Sequence, residues 1–109
     1  MIIDRFNQSD DILFYLREKH IGAGNAVPSK IIENVFGING ATLRQIINKL
    51  RCDAQPVCSD VNGYYYAKNR NEINNTLSQL LGRTRKINEA AQGLVLSHQI
   101  FHDGTEGSL

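Results

Sequence analysis

Leu43, Ile46, Ile47 and Leu50 stand at i, i+3, i+4 and i+7. That spacing commits residues 39–50 to an α-helix with one buried stripe. Asn39, just ahead of it, predicts an N-cap whose side-chain oxygen accepts from a backbone N–H left without a partner in the first turn. The face opposite the stripe carries Gly40, Thr42, Arg44, Gln45, Asn48, Lys49 and Arg51, and no acid. Those residue types suit nucleic acid. An arginine fork matches guanine, asparagine and glutamine match adenine, and lysine or arginine holds phosphate. An ordinary amphipathic helix with a solvated polar face has the same pattern, so the flanking segments carry the rest of the argument.

Upstream, Ser9 is the expected cap of a first helix, with Asp10 and Asp11 in its first turn and Ile12, Leu13 and Leu16 on its buried side. This helix is expected to end near His20, whose ring would meet carbonyls there. The two glycines in Ile21-Gly-Ala-Gly-Asn-Ala-Val27 mark a loop, and Ala26-Val27 can add a short extended segment. Pro28 or Ser29 opens a second helix with Ile31, Ile32, Val35 and Phe36 at helical spacing. Gly37 follows as a left-handed C-cap, and Ile38 plugs the turn. Two short amphipathic helices joined by a tight glycine turn are the helix-turn-helix pattern.

Downstream, Pro56-Val-Cys-Ser59 and Tyr64-Tyr-Tyr-Ala67 read as two short strands around an Asp60-Val-Asn-Gly63 turn. Alternation predicts Tyr64 and Tyr66 inward and Tyr65 outward. The tyrosines fit either cover for a small core or a stacking platform for bases.

Residues 9–67 therefore resemble the winged helix-turn-helix domains common in bacterial regulators and temperate-phage proteins. The resemblance rests on Ser29-Lys-Ile-Ile-Glu-Asn-Val-Phe-Gly37, on Gly40-Ala-Thr-Leu-Arg-Gln-Ile-Ile-Asn-Lys-Leu-Arg51, and on the hairpin Pro56-Val-Cys-Ser…Asn62-Gly-Tyr-Tyr-Tyr-Ala67. It implies that residues 40–51 enter the major groove of double-stranded DNA and that the hairpin touches backbone or minor groove. This hairpin departs from the basic wings of that family: it carries Asp60 and no Lys or Arg. Lys68, with Arg70, stands just past it in their place. On this reading Arg44, Gln45 and Asn48 face bases, and Lys49, Arg51 and Lys68 face phosphate.

Asn69, with Glu72 three residues on, predicts a capped final helix. From there a 4-3 spacing runs through Ile73, Leu77, Leu80, Thr84, Ile87, Ala91, Leu94, His98 and Phe101. Seven of these nine are apolar, where the 41% apolar content of the chain would give about four. Sustained 3.5-residue spacing is a coiled-coil seam. Gly82 and Gly93 each cost about 1 kcal/mol in a helix interior, but the phase continues across Gly82, which predicts one helix. At 1.5 Å per residue, residues 69–102 would span about 50 Å, against about 28 Å for a domain of the preceding length. A second copy of the chain is the simplest cover for the remaining stripe.

The sequence expectation is thus a mainly α (α+β) fold: a winged helix-turn-helix over residues 1–68, a long dimerisation helix over 69–102, and a disordered tail over 103–109. The 109 residues carry a net charge of +1, so any polyanion contact must be local. Cys52 and Cys58 form neither a disulfide framework nor a CxxC zinc pair and are expected as free buried thiols. His98 and His102 have a metal-compatible i, i+4 spacing but no clear third ligand, so no metal or other cofactor is expected. No P-loop, nucleophile elbow or HExxH motif occurs, and a non-enzyme is expected. Without a basic n-region or an apolar run of about 20 residues, the expectation is a soluble, cytoplasmic protein with no membrane contact. Two functions fit: a dimeric, sequence-specific DNA-binding protein in transcriptional or phage-type control or replication, or a protein-interaction module with the last helix as docking surface.

Overall fold

A computed structural model describes residues 5–97. Among them are four α-helices and one antiparallel hairpin, in the order α1 (Arg5–Lys19), a 3-10 turn (Ala23–Asn25), α2 (Ser29–Phe36), α3 (Gly40–Cys52), β1 (Val57–Asp60), β2 (Gly63–Tyr66) and α4 (Arg70–Leu96). No described helix is long and apolar enough to cross a membrane. The chain forms two compact units, the first ending at Thr76 and the second beginning at Leu77. The tail 103–109, Phe101, His98 and His102 lie outside the described residues.

In the first unit the core is built from Ile12 and Leu16 of α1, Val27, Ile32 of α2, Leu43, Ile46, Ile47 and Leu50 of α3, and Val57 of β1. Leu13, Tyr15, Phe36, Ile38, Tyr64 and Tyr66 pack around it. The α3 stripe is buried throughout, and Asn39 caps α3 by accepting from the Thr42 N–H at 2.8 Å. Gly37 closes α2 at φ 64°, ψ 38°, a left-handed geometry that glycine adopts without a Cβ penalty.

Three sequence expectations are corrected here. Helix α1 starts at Arg5, so Ser9 is not its cap and Asp10 and Asp11 are not in its first turn. Ser9 is instead buried, because it lies three and seven residues before Ile12 and Leu16 on the core-facing row. Val35 is 56% exposed, not in the core. The adjacent rows Ile32–Phe36 and Ile31–Val35 are both apolar, and this two-turn helix turns only the first toward the core, with Ile32 buried and Phe36 half-buried. The hairpin is covered on both faces: Tyr65 is buried, while Tyr64 and Tyr66 are half-buried against the core. Tyr65 lies on the same face as its cross-strand partner Cys58, and Cys58 Sγ is 3.6 Å from the Glu72 carbonyl at the start of α4.

The segment between α1 and α2 lies along β2. Val27 exchanges backbone hydrogen bonds with Tyr64 at 2.8 and 2.9 Å, and Gly22 N–H donates to Tyr66 O at 2.8 Å. This close crossing is why position 63 is glycine. Its φ is 129°, and a Cβ there would collide with the Val27 carbonyl and lie 2.8 Å from Pro28 N.

The first turns of α4, up to Thr76, belong to this unit and pack through polar side chains rather than an apolar row. Glu72 and Thr76 are buried, while Ile73 is 40% exposed. Thr76 Oγ1 accepts from Ser59 N–H at 3.2 Å and donates to Ser59 O at 3.3 Å, closing an edge of β1 that would otherwise leave backbone groups unpaired. Asn69 caps the helix by accepting from Glu72 N–H at 3.0 Å. The carboxylate of Glu72 reaches past the cap, accepting from Lys68 N–H at 2.9 Å and Ala23 N–H at 2.8 Å.

Candidate nucleic-acid interface

The burial of Leu43, Ile46, Ile47 and Leu50 fixes the rotation of α3 and so decides which side chains face out. Arg44, Gln45, Asn48 and Lys49 are exposed, and Gly40, Thr42 and Arg51 are half-buried. Arg44 and Asn48 form one i, i+4 row, and Gln45 and Lys49 form the next. No side-chain hydrogen bond or ion pair holds Arg44, Gln45 or Asn48 among the described residues. Their donors and acceptors are therefore open to a ligand.

The cations of this helix are less unopposed than residues 40–51 alone imply. Asp53, one residue past the helix, pairs with Lys49 at 2.8 Å. Its hydrogen bond and charge raise the Lys49 pKa and keep the ammonium protonated. Glu33 of α2 reaches the start of α3: its Oε2 accepts from Ser29 Oγ at 2.8 Å. It also lies 3.5 Å from the point where a Cβ on Gly40 would sit, with Arg44 Nη1 at 3.4 Å from the same point. A carboxylate at a helix N-terminus opposes the positive end of the dipole. Neither acid belongs to the segment that carries the cations, so the local count missed both.

Arg51 faces the hairpin. Its Nε donates to Val57 O at 2.8 Å and its Nη2 to Ser59 Oγ at 3.1 Å. It ties the end of α3 to β1, and any phosphate contact it makes shares the group with this clasp. Lys68 is in a different cluster from the α3 residues. Its side chain crosses Gly22, 3.1 Å from where a Cβ would stand, and its N–H binds Glu72. Burial pushes the Glu72 carboxyl up. The N–H donors of Lys68 and Ala23, with the Lys68 charge, outweigh that and hold it below the ordinary carboxylate range.

The hairpin offers no base of its own. Val61 at its tip is fully exposed, and Asp60 Oδ1 accepts from Asn62 N–H at 2.8 Å within the turn. Tyr65 is buried and unavailable to stack. Cys52 is exposed rather than buried, whereas Cys58 is buried and burial pushes its thiol up, away from the thiolate that nucleophilic or metal chemistry needs. The His20 ring does not meet the carbonyls of α1. It donates from Nδ1 to Asn25 O at 2.8 Å in the 3-10 turn and packs on Tyr15, centroids 4.8 Å apart. No cluster of three metal-ligating side chains occurs among the described residues.

The second unit holds the seam positions from Leu77 to Leu94. Ile87 and Leu94 are 68% and 71% exposed. Thr84 and Ala91 are exposed and Leu80 is half-buried. The helix runs through Gly82 and Gly93 without a break to Leu96. No family model matches the chain, and neither does any curated protein or solved structure.

Proposed function

We propose that the chain is a dimeric, sequence-specific double-stranded DNA-binding protein of the winged helix-turn-helix kind, acting in transcriptional control or in phage-type control or replication. The observation that carries this reading is the outer face of α3. Arg44, Gln45 and Asn48 project from a helix clamped on its other side by four buried aliphatic residues, and nothing within the described chain occupies their polar groups. Polar side chains carried on a fixed helix and left unpaired are what base-edge readout needs. Lys49 adds phosphate contact, with Thr42 and the Gly40 end of the helix beside the backbone. Arg51 positions the helix against the hairpin, and Lys68 supplies charge from the α4 junction.

Assembly belongs to the same reading. A lone module of this size buries little surface on DNA, and joining two raises affinity through effective concentration. The exposed row of α4 is the surface for that joining. Leu77, Ile87 and Leu94 of the row, with Leu81 and Val95 beside it, are all at least 48% exposed, more than scattered surface residues account for.

A second reading, a protein-interaction module without DNA binding, is favoured by the hairpin, where a fully exposed Val61 and Asp60 stand in place of a basic tip. A salt-titrated binding assay on random and genomic duplexes separates the two. The first reading expects affinity that falls steeply with salt and a preferred site among the genomic fragments. No duplex binding even at about 50 mM salt hands the function to the second.

A further inference from the structure

Resting on the DNA reading proposed above, we infer that Glu33 of α2 is the positioning residue for Arg44 and so narrows what α3 accepts at one base pair. The two side chains meet at Gly40. Long side chains on a helix lean toward its N-terminus, and Arg44, four residues on from Gly40, runs back along that row. Its Nη1 lies 3.4 Å from the point that a Cβ on Gly40 would occupy, and Glu33 Oε2 lies 3.5 Å from the same point. Glycine leaves that point empty, so guanidinium and carboxylate share one open space above the first turn of α3. The two differ in freedom. The Glu33 side chain is only 15% exposed and is anchored within its own helix, where Oε2 accepts from Ser29 Oγ at 2.8 Å. Lys30, 86% exposed and 4.0 Å from Oε1, is a weak surface partner screened by water. A carboxylate accepts at about four lone-pair sites, so one hydroxyl and one distant ammonium leave it room.

Arg44 is the adaptable partner. It is exposed, and no hydrogen bond or ion pair holds it among the described residues. An unrestrained arginine takes guanine, another acceptor or a phosphate. A fixed carboxylate beside it favours one orientation. One edge of the guanidinium then donates to Glu33, and the other presents a fork to guanine O6 and N7. The same negative charge repels phosphate. Glu33 therefore lowers affinity for duplex in general and sharpens the choice at one position, which is specificity by penalising the alternatives. With so little of its side chain exposed, Glu33 acts through Arg44 and not on a base.

The test binds the full chain to duplexes that vary one base pair at a time, with Arg44→Ala marking the position that Arg44 reads. Glu33→Gln keeps the shape and an oxygen for Ser29 and removes the charge. It should bind random duplex at least as tightly as the wild type. Its preference at the marked position should fall about fivefold or more, while the other positions keep theirs. Ser29→Ala, which keeps the charge and frees the carboxylate, should move the same position in the same direction by less. In the Arg44→Ala background Glu33→Gln should shift all duplexes alike. A change confined to one base pair there would make Glu33 itself the reader and overturn the inference. Full preference at the marked position in Glu33→Gln overturns it too. So does a loss spread evenly over all positions, which is what loosened packing of α2 on α3 gives. A wild-type preference that Arg44→Ala leaves intact removes the premise at Arg44 alone, and a wild type that binds no duplex removes the DNA reading itself.

Discussion

Asp53 governs how much of the charge on α3 is free for a ligand. It pairs with Lys49 at 2.8 Å on the exposed surface, so Asp53→Asn releases the ammonium and removes a negative charge near the proposed phosphate contact. Affinity for duplex DNA should rise, read by fluorescence anisotropy at low salt, and an unchanged affinity would place Lys49 away from DNA. Lys49→Ala should weaken all sequences alike and lower the slope of log affinity against log salt by about 1. Glu72 makes a different kind of prediction. Its carboxyl is held below the ordinary range by two backbone N–H donors, so its ionised form stabilises the folded state at pH values above the unfolded-state pKa of about 4.3. That stability is lost as the pH falls through the depressed folded value. Glu72→Gln should therefore cost about 1–3 kcal/mol at neutral pH. Thermal unfolding followed downward from pH 7 should show the gap between wild type and variant narrowing below the ordinary glutamate range, and a gap that does not narrow with falling pH would contradict this account.

At the scale of elements, α3 holds the first unit together. Leu50 is buried at its C-terminal end, and Leu50→Ala should destabilise by about 2–5 kcal/mol in urea titration. A loss of a few tenths would mean the helix core faces elsewhere. This helix was legible in the sequence because its period, its cap and its polar face agree over three turns. The Gly37 turn and the hairpin were legible for the same kind of local reason, and Ala26-Val27 was legible as an extended segment but not as a bridge to Tyr64. Less legible were features set by distant neighbours. Whether Val35 or Phe36 is buried depends on which side of α2 meets other helices, and both rows are apolar. Tyr65 turns inward because α4 covers the far face of the hairpin, which no two-residue alternation reveals. The polar docking of Thr76 on Ser59 broke the expectation that a helix packs by its apolar row. The open edge of β1 needs hydrogen-bond partners more than it needs aliphatic cover. At the site, the outward set Arg44, Gln45, Asn48 and Lys49 followed from the stripe, whereas the clasp of Arg51 and the counter-charges of Glu33 and Asp53 came from contacts outside the segment.

For the whole molecule, the proposed function requires two copies joined through α4 to turn a small reading head into a binder of useful affinity. Ile87→Asp with Leu94→Asp places charges in the seam, at two positions of the second unit. Light scattering should report a monomer, circular dichroism should keep the signal of the first unit, and most DNA affinity should disappear. Retained affinity in a monomer would separate assembly from binding. The measurement closest to the central claim compares wild type with Arg44→Ala on a panel of duplexes that vary one base pair at a time around the preferred site. If the outer face of α3 reads bases, the variant loses about 1–3 kcal/mol on that site and becomes indifferent at one position while discriminating at the rest. Equal affinities for wild type and variant at every position would show that this face does not read DNA.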